Sequence, residues 1–156
     1  MERISYSDAP TGMAQVMTNV EQFINKSGLD KKLLELLRFR VSQINSCAYC
    51  LHMHFKEALH AGEDEKRLYS LSAWRETPYY SPKEKAVFAF AETLTKLPPD
   101  EESDGIHDEL NKYFSRQEIA YLTLAIAQIN SWNRLTRSFG TVPGNYKVRE
   151  SELVNG

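Results

Sequence analysis

Both cysteines of the chain and two of its four histidines fall within eight residues, Cys47-Ala48-Tyr49-Cys50-Leu51-His52-Met53-His54. A disulfide between cysteines three positions apart closes so small a ring that it adds only roughly 2 kcal/mol of loop-closure stabilisation before strain is subtracted. The pair is therefore read as chemistry or as a metal site, not as a staple. On a helix turning about 100° per residue, Cys47, Cys50 and His54 lie at about 0°, −60° and −20°, one shared stripe, whereas His52 lies near 140°. Helical Cα atoms at i and i+3 are about 5 Å apart, inside the window a disulfide tolerates, so a Cys47–Cys50 bond can form and break with little backbone movement. Cys50 and His54 are an i, i+4 pair, close enough for an imidazole to take a thiol proton directly or through one water.

The elements that must position this stripe can be read around it. Asp30 is a good N-cap for a helix carrying Leu33, Leu34, Leu37, Val41 and Ile44, and Asn45-Ser46 offers a stop and a new cap. A break there puts Cys47 in the first turn of the next helix, where free N–H groups and the macrodipole favour a thiolate. That helix runs through Phe55, Ala58 and Leu59 to Gly62. Glu35 sits on the side of its helix away from Leu33, Leu37 and Ile44, which periodicity alone assigns to the surface. A hairpin folding the two helices back on each other would instead bring Glu35 to His54 from outside the latter's own helix.

The remaining elements are also helical. Met13, Val16, Met17, Val20, Phe23 and Ile24 form an apolar stripe read as core. Glu63-Asp64 opens a short helix to Trp74, and Thr77-Pro78-Tyr79-Tyr80 reads as a loop. Ser81-Pro82-Lys83-Glu84 and Ser115-Arg116-Gln117-Glu118 are capping boxes, the first followed by Val87, Phe90, Ala91 and Leu94, the second by Ile119, Leu122, Ile126 and Ile129. Ile106, Leu110, Tyr113 and Phe114 supply another short helix. The segment Leu97-Pro98-Pro99-Asp100-Glu101-Glu102 reads as a surface connection. No strand period survives, so the expected fold is an all-α bundle of about six to seven helices. It forms one domain over 1–156, with a core at about 13–140, an irregular arm at 1–12 and an irregular tail at 141–156.

Composition sets bounds on function. The net charge of −2, with acids and bases interspersed, argues against a nucleic-acid surface. No apolar run reaches a membrane span and the N-terminus lacks a signal-peptide core, so a soluble, cytoplasmic protein is expected. In a reducing compartment, Cys-x-x-Cys is redox-active or metal-binding more often than structural. His60 and His107 read as solvated, Trp74, Tyr79 and Tyr80 as loop aromatics, and Trp132 and Arg134 as packing or subunit-contact residues.

Glu35, Cys47-x-x-Cys50 and His54 at this spacing resemble the active-site signature of the alkylhydroperoxidase D-like (AhpD-like) proteins in the carboxymuconolactone decarboxylase superfamily. The segment Leu33–Leu94 resembles that family's core domain, and Ile129-Asn130-Ser131-Trp132-Asn133-Arg134-Leu135 is similar to a helix of the peroxidase-related branch. The resemblance implies a thiol-dependent peroxidase that assembles into trimers or hexamers and reduces organic hydroperoxides. Cys50 would be the peroxidatic nucleophile, Cys47 the proton donor and resolving thiol, and His54 and Glu35 the proton relay. No cofactor or metal would be needed, only an external dithiol reductant. The alkylhydroperoxidase D pattern has a histidine where this chain has Tyr49, whose hydroxyl can hold a water but cannot buffer protons near neutrality, an auxiliary role at most. Two rival readings are a non-catalytic oligomeric redox sensor and a metal site built from Cys47, Cys50, His54 and Glu35.

Overall fold

Why Glu35 leaves the surface follows from the place of one helix. In the structure, a computed structural model describing residues 1–100 and 104–149, α2 (Lys31–Ile44) packs against α3 (Ala48–His60), α5 (Pro82–Lys96) and α7 (Arg116–Phe139). Its residues 33–39 are buried without interruption, so it is enclosed on every face. A helix surrounded in this way has no solvent side, and any polar residue it carries must find a partner inside.

The other elements are α1 (Met13–Asn25), α4 (Glu65–Tyr69), a 3₁₀ segment (Leu71–Glu76) and α6 (Asp104–Leu110), all helical like the rest of the regular structure among the described residues. Leu33, Leu34, Leu37 and Val41 of α2 meet Val87, Phe90 and Ala91 of α5 and Leu122, Ile126 and Ile129 of α7 in the main core. The opposite side of α2 packs Leu36 and Phe39 into a second cluster with Ala58, Leu68, Leu71 and Phe88. Both capping boxes form: Ser81 and Ser115 each accept from the N3 backbone N–H, and Glu84 and Glu118 return the bond to the cap residue. At the other end of α7, Gly140 takes the left-handed conformation (φ 70°) that closes a helix.

Several expectations change. Val16 (64% exposed) and Phe23 (56% exposed) are not core, because α1 packs chiefly on α7 and buries only a narrow strip around Ile24 and Val20. Phe23 instead lies against Tyr121, ring centroids 5.3 Å apart. The turn between α2 and α3 places Ser46 at φ 51°, so Cys47, not Ser46, becomes the N-cap of α3, one position later than the spacing suggests. Trp74 and Tyr80 are buried against Phe88, and His107 is half-buried beside Phe90. The short helix before Ser115 ends at Leu110, and Tyr113 and Phe114 pack from the turn that follows. Glu101 and Glu102 of the expected connection, and residues 150–156 of the expected tail, lie outside the described residues.

Residues 141–149 are irregular, as expected, yet they are docked. The Tyr146 hydroxyl donates to the Glu57 carboxylate, and Lys56 Nζ donates to the Tyr146 carbonyl at 2.8 Å, both on α3.

Candidate active site

The α2–α3 hairpin and the C-terminal half of α7 bring the predicted residues together. Asn45, in the hairpin turn, donates through Nδ2 to Asn130 Oδ1 and Asn133 Oδ1, each at 2.9 Å, and its carbonyl accepts from Arg137 at 2.9 Å. Asn133 Nδ2 donates in turn to Ser42 Oγ at 3.1 Å. These bonds cross between helices, so they fix the register of α7 against the N-terminus of α3, where both sulfurs sit.

Cys47 and Cys50 are buried free thiols. Thr136 Oγ1 of α7 lies 3.0 Å from the Cys47 sulfur and 3.3 Å from that of Cys50. The same hydroxyl can turn back to the Trp132 carbonyl at 2.8 Å, so its one proton has a resting place when neither sulfur needs it. The Cys50 thiol donates to the Cys47 sulfur. That bond, with the Thr136 hydroxyl, the Cys50 backbone N–H and the electrostatic pull of His54, overcomes burial and brings Cys47 down to about 6. The same bond and burial push Cys50 well above the ordinary thiol range. The two thiols are therefore unequal, Cys47 at the N-cap being the more acidic and Cys50 the less.

Behind the sulfurs lies the Glu35–His54 pair. Glu35 (3% exposed) reaches His54 Nδ1 with Oε2 at 2.7 Å and receives Arg38 Nη1 on Oε1 at 2.7 Å. Burial alone would raise the Glu35 pKa, but the charge and hydrogen bond of His54, followed by those of Arg38, hold it at about 2. An ionised carboxylate only accepts, so Nδ1 carries a proton and the exchangeable nitrogen is Nε2. Nε2 is buried and has no protein partner among the described residues. Arg38 is itself held by Glu21 Oε2 at 2.8 Å and Asn25 Oδ1 at 3.0 Å, and Trp132 Nε1 donates to Glu21 Oε1 at 3.1 Å.

Three clefts meet this cluster, one of them, of about 410 Å³, reaching Cys47 between Arg3, Tyr49 and Thr136. A compact, mainly apolar one of about 260 Å³ reaches Cys50 between Tyr6, Tyr49, Met53 and Trp132. A larger one of about 530 Å³ opens on Glu35 and His54 and is bordered by Tyr146 and Arg149 of the tail. Tyr49 thus stands beside the sulfurs, its hydroxyl kept protonated by burial and by Cys50. Trp132, read from sequence as packing, is part of the site. Among the described residues no three of His, Cys, Asp and Glu converge as a metal would need, since Glu35 already clamps His54 and Arg38.

Arg38, Asn133 and Thr136 escaped sequence reading. Arg38 carried a signal, an arginine at i+3 from an acid inside an otherwise apolar helix. The polar run Asn130, Asn133, Arg137 at i, i+3, i+7 marked a bonding face on α7. Thr136 carried none.

Residues 10–93 match the sequence profile of the carboxymuconolactone decarboxylase family. The uncharacterised protein YdfG of Bacillus subtilis (strain 168) is 38% identical over 140 residues, 89% of this chain and 95% of its own. A crystal structure from Agrobacterium tumefaciens, of unknown function and provisionally assigned to antioxidant defence as AhpD, superposes with a TM-score of 0.88. It is 33% identical, with 94% of this chain and all of that one covered. The debrominase Bmp8 shares the fold at 18% identity and TM-score 0.75, covering 85% of this chain and 72% of that one.

Proposed function

The chain belongs to the carboxymuconolactone decarboxylase family and has an AhpD-like fold, and from that premise we propose that it is a thiol-dependent peroxidase acting on organic hydroperoxides. The observation that carries the reading is the buried Glu35–His54 pair set one helical turn behind the paired free thiols of Cys47 and Cys50. A structural ion pair has no need of an acidic thiol beside it.

In the proposed reaction, the proton on Cys50 passes along the S–H···S bond to Cys47. The charge then rests on Cys50, which lines the apolar cleft, and the proton on Cys47. Cys50 attacks the distal peroxide oxygen, the O–O bond breaks, and the Cys47 proton goes to the leaving alkoxide. This gives an alcohol, a Cys50 sulfenic acid and a Cys47 thiolate. The Cys47 thiolate displaces hydroxide from the sulfenic sulfur, forming the Cys47–Cys50 disulfide, and the hydroxide takes a proton to become water. His54 Nε2 exchanges the protons these steps need, and Glu35 keeps its ring oriented and Nδ1 protonated. An external dithiol returns two electrons and two protons by exchange. No metal or other cofactor takes part. Tyr49 borders the reacting sulfur as an auxiliary residue.

The chain is further proposed to assemble as a homo-oligomer, trimer or hexamer, burying the exposed Val16 and Phe23 of α1. Light scattering on Phe23→Glu tests this: a smaller particle is expected, and an unchanged one contradicts it.

The test of the activity is single-turnover stoichiometry. One equivalent of an organic hydroperoxide added to reduced protein should yield one equivalent of alcohol and consume both thiols. Failure to consume the hydroperoxide while both thiols remain titratable would refute the proposal.

A further inference from the structure

The N-terminal arm lies outside the family match at residues 10–93, yet it is built into the site. The Arg3 and Ile4 backbone N–H groups donate to the Phe139 carbonyl at 2.7 and 3.2 Å, and Arg3 Nε donates to the Ser138 carbonyl at 2.9 Å. The Arg3 guanidinium also bonds the Arg137 carbonyl. One cation thereby satisfies the open carbonyls at the C-terminal end of α7, where the macrodipole favours it. The fit is close: a Cβ on Gly140 would stand 2.7 Å from the Met1 carbonyl oxygen. Further along, Asp8 ties back to Ser5, its Oδ2 accepting from the backbone N–H at 3.1 Å and from Oγ at 2.6 Å. This turn holds Tyr6 with its ring 5.5 Å from that of Phe139.

From there Tyr6 forms one wall of the cleft at Cys50, facing Tyr49, Met53 and Trp132. Burial comes first, then the Tyr49 phenol and the two sulfurs, in raising the Tyr6 hydroxyl's pKa, which marks how near it lies to the thiol pair. Tyr6 remains 40% exposed, so its ring borders the cleft at its mouth while the bonds to three α7 carbonyls hold the arm in place. We propose that the arm completes the substrate cleft, with Tyr6 as a specificity-determining wall that selects compact apolar hydroperoxides, single-ring or short branched alkyl, over hydrogen peroxide. The preference for a compact apolar group comes from the mainly apolar lining of this cleft, about 260 Å³, by Tyr6, Tyr49, Met53 and Trp132. The substrate claim rests on the peroxidase reading; the architectural one does not.

The experiment has two arms, both on the full reduced chain. In the first, kcat/KM is measured for cumene hydroperoxide and for hydrogen peroxide. Tyr6→Ala and Arg3→Gln should each lower the cumene-to-hydrogen-peroxide ratio about tenfold, mainly through KM for the aryl substrate, as expected when an apolar contact is lost. Tyr6→Phe should restore most of it. In the second arm, carried in a Cys47→Ser background so that Cys50 is the reacting thiol, rates of alkylation by N-phenylmaleimide and N-methylmaleimide are compared by mass spectrometry. The phenyl-to-methyl ratio should fall in Tyr6→Ala and Arg3→Gln and return in Tyr6→Phe. A maleimide ratio unmoved by both variants overturns the proposal whatever the peroxidase activity. A shifted maleimide ratio in a protein that turns over no hydroperoxide refutes the peroxidase reading and leaves the arm's role standing. A Tyr6→Phe as impaired as Tyr6→Ala also overturns it, because a wall needs the ring and not the hydroxyl.

Discussion

Two arginines leave α2 two positions apart and each meets a buried carboxylate, yet the two clusters do different things. Arg40 donates to Glu92 Oε1 through Nε at 3.0 Å and Nη2 at 2.8 Å, Trp74 Nε1 reaches the same oxygen at 2.8 Å, and Arg75 takes Oε2 at 2.7 Å. Both oxygens of Glu92 are taken by groups that never release a proton at ordinary pH, and the cluster is closed. Arg38 likewise holds Glu35, but the second oxygen of Glu35 is given to His54, whose other nitrogen has no protein partner among the described residues. The first cluster ties α2 and α5 to the 3₁₀ segment. The second ends on a group that can exchange a proton, one turn from an acidic dithiol. What separates the two clusters is the last member, not the burial or the number of bonds, and it is what suits the second to the proposed relay.

That contrast can be broken in order of expected effect. The proposed chemistry ends on the dithiol, so Cys50→Ser should lower multiple-turnover hydroperoxide reduction by at least about a thousandfold, because it removes the attacking sulfur and leaves Cys47 no partner for a disulfide. Retained turnover would detach the relay from any chemistry. Glu35→Gln should cost about a hundredfold in kcat/KM, the usual worth of a positioned acid–base pair. It should also lower the urea midpoint, since the buried carboxylate held at about 2 is lost. Glu92→Gln should act on stability alone. It removes the carboxylate that Arg40, Arg75 and Trp74 share and should lower the urea midpoint, while kcat/KM per folded molecule stays within about twofold. If both variants lose activity alike, the two clusters are not different in kind.

Acidity gives two smaller, sharper tests. The lowered pKa values of Glu35, about 2, and of Glu92 mean that both release protons on folding. Their stabilisation is complete above the unfolded carboxylate value of about 4.3 and fades as pH falls through the folded values. Urea midpoints measured between about pH 5 and pH 2 should therefore drop steeply in the native chain and less steeply in either Gln variant. At the dithiol, alkylation by iodoacetamide should titrate near 6, where the structure holds Cys47, and His54→Gln should move that midpoint upward. A profile centred on an ordinary thiol value of about 8.5 in the native chain would remove the acidic Cys47 thiol.

How much of this could be read before the fold was known depends on how local each feature is. The capping boxes at Ser81 and Ser115 are set by residues within a few positions and stand where the spacing puts them, whereas Cys47 falls in extended backbone at the N-cap, just outside the helix that carries Cys50 and His54. Glu35 was ambiguous because a helix buried on every face shows no polar side, and only the packing of α2 between α3, α5 and α7 decides the matter. Val16 and Phe23 misled for the complementary reason: an apolar stripe says which residues could be buried, not how wide a neighbour covers them. Thr136 and Asn133 are about ninety positions from the cysteines and the turn they hold, so no spacing rule reaches them. Tyr6 is more distant still in kind, an ordinary residue in an irregular arm made relevant by Arg3 at a helix end.

The claim on which the rest depends is that Cys50 attacks although Cys47 is the more acidic thiol. Dimedone trapping with mass spectrometry after one equivalent of cumene hydroperoxide, run in parallel on Cys47→Ser and Cys50→Ser, tests it directly. The account predicts a dimedone adduct on Cys50 in the first variant and unreacted hydroperoxide in the second. An adduct on Cys47 in Cys50→Ser, with none in Cys47→Ser, would contradict it.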